Sequence, residues 1–180
     1  IHQLDERDAS MTADSAACSN APAQKVLVLD FGAQYGQLIA RRVRDLGVYS
    51  EIVPCDVAAG EVRALAPAAI ILSGGPASVY AEDAPSVDAG LFDLGIPVLG
   101  SCYGQQVIAV ALGGAVGHTE VGEYGPAELV RLDGACGDVA DAVLGHGVEV
   151  AASTFFGETP CEQTVWMSHR DAVVRVPEGF

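Results

Sequence analysis

From Lys25 onward, short apolar runs alternate with stretches whose apolar residues recur at helical spacing. Lys25 to Asp30 (KVLVLD) is a continuous apolar run, the pattern of a parallel strand buried on both faces. Gln34 to Leu46 places Leu38, Ile39, Val43 and Leu46 on one helical face and three arginines on the other, with Gly47 as a stop. Tyr49 to Pro54 predicts a second strand, Val57 to Leu65 a second helix, and Ala69 to Ser73 a third strand ending at Gly74-Gly75-Pro76. Ser86 to Leu94 is predicted helical. Ile96 to Gly100 reads as a short buried strand, and Tyr103 to Leu112 as a helix closed by Gly113-Gly114. Strands and helices in alternation predict an α/β fold, a doubly wound and mainly parallel sheet. After Gly114 the texture changes to strand-like pieces, Ala127 to Leu132, Thr164 to Met167 and Ala172 to Val176, which predict an appended antiparallel element.

Residues 1 to 24 lack this periodicity and are rich in Ala, Ser and Asp, as expected of a disordered tail; Met11 is a candidate start within it. Residues 25 to 180 then form one domain, half the chain being hydrophobic. Nine basic against 24 acidic residues give a formal charge of −15, which argues against a nucleic-acid surface, since that needs a basic stripe. No apolar run approaches the ~18 residues of a membrane-spanning helix, so neither nucleic acid nor membrane is expected as a partner. The five cysteines show no C-x-x-C spacing, hence no metal site is expected, and a reducing cytoplasm is the expected compartment.

Candidate chemistry concentrates in Ser101-Cys102-Tyr103-Gly104-Gln105-Gln106. A cysteine at a sharp strand-to-helix turn, between Gly100 and Gly104, is the counterpart of the serine nucleophile elbow. The glycines let the turn tighten, and the helix N-terminus below offers partial positive charge to a developing anion. A buried structural cysteine is the competing reading. In an open α/β sheet, function sits beyond the carboxyl ends of the strands. Asp30 to Tyr35, Ser73 to Pro76 and Cys102 to Gly104 all project there. The Gly-Gly-Pro turn exposes backbone N–H groups, as an oxyanion hole requires; alone it would be a tight turn and nothing more. Beside a cysteine elbow it points to acyl transfer.

LDFGAQYGQLIARRVRDLGVYSEIVP, IILSGGPASVY, GIPVLGSCYGQQ, EYGPAEL and VWMSHRDAVVRVPEGF together resemble the class I, triad-type glutamine amidotransferase domain of the GMP synthetases. The resemblance covers roughly residues 25 to 180 and implies a flavodoxin-like fold. It implies glutamine hydrolysis here, with ammonia passed to an ATP-dependent synthetase domain, in the same or a separate chain, that aminates XMP to GMP. Cys102 matches the nucleophile, and the backbone N–H groups of Gly75 and Tyr103 match the oxyanion hole. Gly104, Gln106 and Asp171 match glutamine-binding positions, and Ser168 and His169 a loop on the substrate side. No cofactor is implied for this domain; ATP and magnesium belong to the synthetase domain, and the parent is expected to be a homodimer.

Departures from the family pattern shape the expectation. The family's triad takes its histidine and glutamate from a His-Pro-Glu motif well beyond the Ser-His-x-Asp segment, and these 180 residues contain none. The chain is therefore expected to be an amidotransferase domain cut before its triad and inactive alone. A substitute triad of Cys102, His169 and Asp171 is the one catalytic rescue. Arg170 stands where the family usually has glycine, and His118 and His146 fall in glycine-flanked stretches read as loops outside any motif. A non-catalytic binding or regulatory module, an amidotransferase serving another acceptor, and a stress-response cysteine protein of similar fold are the alternatives.

Overall fold

The computed structural model describes residues 24–130 and 159–178. Residues 1–23, with most of the expected tail, and His146 lie outside the described residues. Four strands form a parallel sheet: β1 (Lys25–Asp30), β2 (Tyr49–Pro54), β3 (Ala69–Leu72) and β4 (Val98–Gly100), in the order β2-β1-β3-β4. The order reverses between β1 and β3, which opens a crevice at their carboxyl ends. β1 occupies the middle, and Leu27, Val28 and Leu29 are wholly buried, as their unbroken apolar run demands. Ile70 and Leu72 of β3 join Leu27, Leu29, Phe31, Val62, Leu91 and Tyr103 in the core.

The helices follow the sequence pattern closely where the pattern is periodic. α1 (Tyr35–Asp45) buries Gly36 and Ala40 against the sheet, and Arg42 and Arg44 sit in its last turn, where cations favour the helix dipole. Arg44 also ties α1 to β2, its Nη1 donating to Ser50 Oγ at 2.9 Å, while Ser50 Oγ donates to Ala40 O at 2.8 Å. α2 (Ala59–Leu65) starts two residues later than the spacing predicts, because Ala58 is extended (φ −66°, ψ 142°) and offers no side-chain cap. Its cap comes from a distant residue. Asp88 Oδ2 accepts the Ala59 N–H and Oδ1 the Gly90 N–H, both at 2.9 Å.

The predicted helix at Ser86 to Leu94 is instead a 3-10 helix over Ala89–Leu94. Asp88 is extended there and caps its own following turn, and Gly95 (φ 70°) ends the segment just before Pro97. Six residues between such stops are too few for a stable α-helix, yet they suffice to bury Leu91 completely. The double cap depresses the Asp88 pKa, chiefly through the Ala59 N–H and then the Gly90 N–H. A depressed carboxyl stabilises the fold above its unfolded pKa and stops doing so as pH falls through its folded value. Asp88→Ala should thus lower Tm at neutral pH, with the gap to wild type closing in acid; thermal melts across pH check this, and equal neutral melts would refute it.

α3 (Tyr103–Ala111) follows β4 and ends at Leu112, as its apolar spacing requires. Beyond it, two long strands, β5 (Ala115–Val130) and β6 (Glu162–Arg175), pair antiparallel in a separate ribbon. The antiparallel element is thus present, but Thr164 to Met167 and Ala172 to Arg175 lie on one continuous strand rather than two, with Val176 just past its end; of the expected Ala127 to Leu132 strand, residues 131 and 132 lie outside the described residues. Between His118 and Glu123 the register slips: β5 advances five residues while β6 moves two, from Asp171 to His169. The ribbon is anchored to α3 by Arg175 Nη2, which donates to Gly113 O at 3.2 Å, and by a close approach at Gly114, where a Cβ would lie 2.7 Å from Arg175 O. Among the described residues Cys55 and Cys102 are free thiols, whereas Cys161 is disulfide-bonded.

Candidate active site

Cys102 sits between β4 and α3 with φ 53° and ψ −112°, a conformation that side chains other than glycine rarely adopt. Strain of this kind costs about 1–3 kcal/mol and persists only where the surroundings over-determine it. Here they do. Ser101 N–H donates to Leu72 O at 3.0 Å, and Gly104 N–H to Ser73 O at 3.1 Å, clamping both sides of the turn to β3. Gly104 lies so close to β3 that a Cβ on it would strike the Leu72 carbonyl, and a Cβ on Gly100 would come within 2.6 Å of Gln105 N. The strand-to-helix turn at Cys102 is therefore a tightly built elbow with the cysteine exposed at its tip.

The Ser73-Gly74-Gly75-Pro76 turn lies beside it. Ser73 is wholly buried; its Oγ accepts the Phe31 N–H at 3.1 Å and donates to Gly74 O at 3.0 Å, fixing the turn to the end of β1. Gly75 must be glycine, since a Cβ there would be 2.9 Å from Phe31 O. Gly74 carries the turn past the elbow, its Cβ position 3.6 Å from Cys102 Cβ. The Tyr103 ring packs on Phe31 with centroids 5.2 Å apart, and its hydroxyl donates to Pro85 O at 2.7 Å. Among the described residues, neither the Gly75 nor the Tyr103 N–H donates to a backbone carbonyl.

These parts border a pocket of about 300 Å³, whose lining takes in Gly75, Cys102, Tyr103, Gln106, Ser168, His169 and Asp171. Of the residues that the resemblance matched to roles in the site, Gly104 stays out of the lining; it is the packing point of the elbow. The far wall is β6. Gln106 is buried and its Nε2 donates to Asp171 O at 2.8 Å, joining α3 to that strand. The Asp171 side chain is 12% exposed, with Ser78 donating to Oδ2 at 2.7 Å and His118 Nδ1 placed 2.8 Å from Oδ1. Those two partners, Ser78 first, hold its carboxyl below the usual carboxylate range against the opposing pull of burial. The site thus keeps a negative charge opposite the cysteine at neutral pH. Arg170 also borders the pocket. Among the described residues no group of three His, Cys, Asp or Glu side chains is placed to hold a metal.

Two residues escaped the sequence reading. His118 belongs to β5, not to a loop, and it is the direct cross-strand partner of Asp171, just before the register slip. Its glycine neighbours, which normally mark turns, hid the strand. Ser78, three residues beyond Gly75, was legible only as part of the IILSGGPASVY stretch. The carboxylate of the His-x-Asp segment is thus engaged by Ser78 and His118, while His169 shares the pocket with both.

A family profile described as glutamine amidotransferase class-I matches residues 27–180. The chain is 51% identical over 159 residues, 88% of its length, to a protein named GMP synthase [glutamine-hydrolyzing] from Mycobacterium tuberculosis (strain ATCC 25618 / H37Rv). It is 54% identical over 155 residues to the protein of that name from Nocardia farcinica, covering 86% of this chain. It spans 27% and 26% of those two relatives' own lengths. Among solved structures, a Thermoplasma acidophilum protein provisionally described as one subunit of a GMP synthase superposes with TM-score 0.68 at 27% identity, over 88% of this chain and 70% of its own. A glutamine amidotransferase from Thermotoga maritima superposes with TM-score 0.53 at 18% identity, over 84% of this chain and 63% of its own, a likeness of fold. With the parallel sheet, the cysteine elbow and the Gly-Gly-Pro turn in place, the chain belongs to the class-I glutamine amidotransferase family.

Proposed function

We propose that this chain is the ammonia-releasing part of a glutamine-hydrolysing GMP synthase. The observation that carries the reading is the exposed Cys102, held in a left-handed elbow on a pocket that Gly75 and Tyr103 also line. Cys102 Sγ attacks the side-chain amide carbon of glutamine, and the oxygen takes up negative charge at the N–H groups of Gly75 and Tyr103. Collapse of that adduct breaks the C–N bond, the nitrogen leaving as ammonia with the proton that the Cys102 thiol gave up, and leaves a glutamyl thioester. Water then attacks the thioester, giving glutamate and the free thiol. Asp171, negatively charged, receives the α-ammonium group of the substrate. One of the two Gln106 Nε2 hydrogens is engaged by the Asp171 carbonyl, which leaves the second N–H and Oε1 for glutamine. Ser168 and His169 flank the substrate's carboxylate end.

The ammonia serves an ATP-dependent synthetase domain, in the same or a separate chain, that aminates XMP to GMP. ATP and magnesium act there, activating the acceptor, and the amidotransferase chemistry itself uses neither. A homodimeric parent and a cytoplasmic setting belong to the same reading.

Selective alkylation tests the nucleophile. Cys102 is exposed at the start of α3, whereas Cys55 is half-buried, its thiol pushed up first by burial and then by Asp56. A chloroketone analogue of glutamine should label Cys102 at least about a hundredfold faster than Cys55, because the thiolate is the reacting species and pocket binding adds to it. Peptide mapping by mass spectrometry reads the result; earlier labelling of Cys55 in folded protein would overturn the assignment.

A further inference from the structure

We propose that His118 is a positioning residue for the amino-group subsite: with Ser78 it locks the Asp171 carboxylate, and so sets the preference for an α-amino acid over its deaminated counterpart. The inference rests on the glutamine reading above and extends it to a residue outside the family motifs.

Asp171 is held from three elements. Gln106 of α3 pins its main-chain carbonyl, Ser78 from the turn after β3 binds Oδ2, and His118 of β5 binds Oδ1. An ionised carboxylate only accepts, so the His118 Nδ1 atom facing it carries the proton. The two oxygens offer about four lone-pair directions, and the two side-chain donors leave room for a third donor from the pocket. An imidazole N–H donating in this way fixes the direction of the carboxylate. That is what a subsite for an ammonium group requires.

The placement of His118 also argues for a role beyond fold stability. Its side chain is 64% exposed, at the rim of the pocket, where a hydrogen bond stabilises the fold little. It comes to that rim immediately before the register slip of β5, where the strand carries three more residues than β6 does. Such irregularities beside sites re-aim side chains. With His118 gone, Asp171 retains one side-chain partner and can rotate about its χ angles, so the ammonium group would meet a carboxylate of unfixed direction. Misplacement by about an ångström suffices to lose much of a binding advantage.

The test compares alkylation of Cys102 by the chloroketone analogue of glutamine and by the same chloroketone lacking the α-amino group. Wild type should favour the amino compound by about tenfold or more, the worth of one charge-assisted contact. His118→Ala and His118→Phe should each reduce that preference to about threefold or less, through a weaker inhibitor constant with the limiting alkylation rate unchanged. His118→Asn, which keeps an N–H near the Nδ1 position, should restore it, and iodoacetamide should label all four proteins alike. If wild type shows no preference, the glutamine reading of the pocket fails. If wild type discriminates and His118→Ala or His118→Phe discriminates equally, the glutamine reading stands and the role of His118 is overturned. Should His118→Ala lose its cooperative melt, the contrast between Phe and Asn decides the matter, since only the second supplies a donor.

Discussion

Glutamate release by the 180-residue chain should run about 10⁴ to 10⁶-fold slower than release by the same chain extended through a His-Pro-Glu segment. The resemblance to the GMP synthetases implies a base and an orienter supplied by that segment, and the 180 residues contain no such motif. Nucleophile and base act as a unit, so removing the histidine forfeits nearly the whole gain that the pair provides. On the proposed reading Cys102 attacks the amide carbon and the Gly75 and Tyr103 N–H groups receive the oxyanion, but the departing nitrogen still needs a proton. Among the described residues two imidazoles border the pocket, those of His118 and His169. A coupled assay for glutamate on both lengths of chain gives the comparison. Equal rates would place the base within these residues. Loss of that activity in His169→Ala would then establish the substitute triad of Cys102, His169 and Asp171, and loss in His118→Ala would assign the base to the imidazole already hydrogen-bonded to Asp171.

Gly104→Ala should be the most damaging single-methyl change in the fold. The added Cβ would strike the Leu72 carbonyl and lie 2.6 Å from Leu72 Cβ, both on β3, a strand fixed in mid-sheet between β1 and β4. Overpacking against rigid backbone costs about 1–3 kcal/mol or more, which at this chain length lowers Tm by roughly 2–4 °C for each kcal/mol. The first turn of α3 must also lift away, which breaks the Gly104 N–H bond to Ser73 and releases the strained conformation of Cys102. Alkylation of Cys102 by the glutamine chloroketone should fall with it. Gly60→Ala is the control. Gly60 also lies in a helix, α2, but has nothing within 4 Å of its Cβ position, so alanine there should stabilise by about 0.4–1 kcal/mol. Thermal melts of the two variants should move in opposite directions. Gly104→Ala melting with the wild type would mean that α3 does not rest on β3 as described.

The strands and helices of the parallel sheet were legible in the sequence because burial imposes a period. KVLVLD had to be a central strand, since an unbroken apolar run finds cover only between two layers of helix, and Leu27, Val28 and Leu29 are indeed wholly buried. The elbow was legible for a different reason. Gly100 and Gly104 flank Cys102 because backbone approaches backbone there, and no other residue fits. Periodicity failed where local chemistry overrode it. Ser86 to Leu94 has helical spacing, but Asp88 spends its carboxylate on the caps at Ala59 and Gly90, leaving room only for a 3-10 turn.

What tertiary structure alone decided is the far wall of the pocket. Gly117, Gly122, Gly125 and Pro126 read as turn residues, yet β5 pairs with β6 on both sides of the slip, because the ribbon's hydrogen bonds come from a strand distant in the chain. That pairing, with its slip after His118, sets an imidazole against Asp171, 53 positions along the chain. Ser78 reaches the same carboxylate across 93 positions. Sequence patterns report what a residue's immediate neighbours require of it. The orientation of Asp171 depends on three donors from three elements, and only the folded chain brings them together.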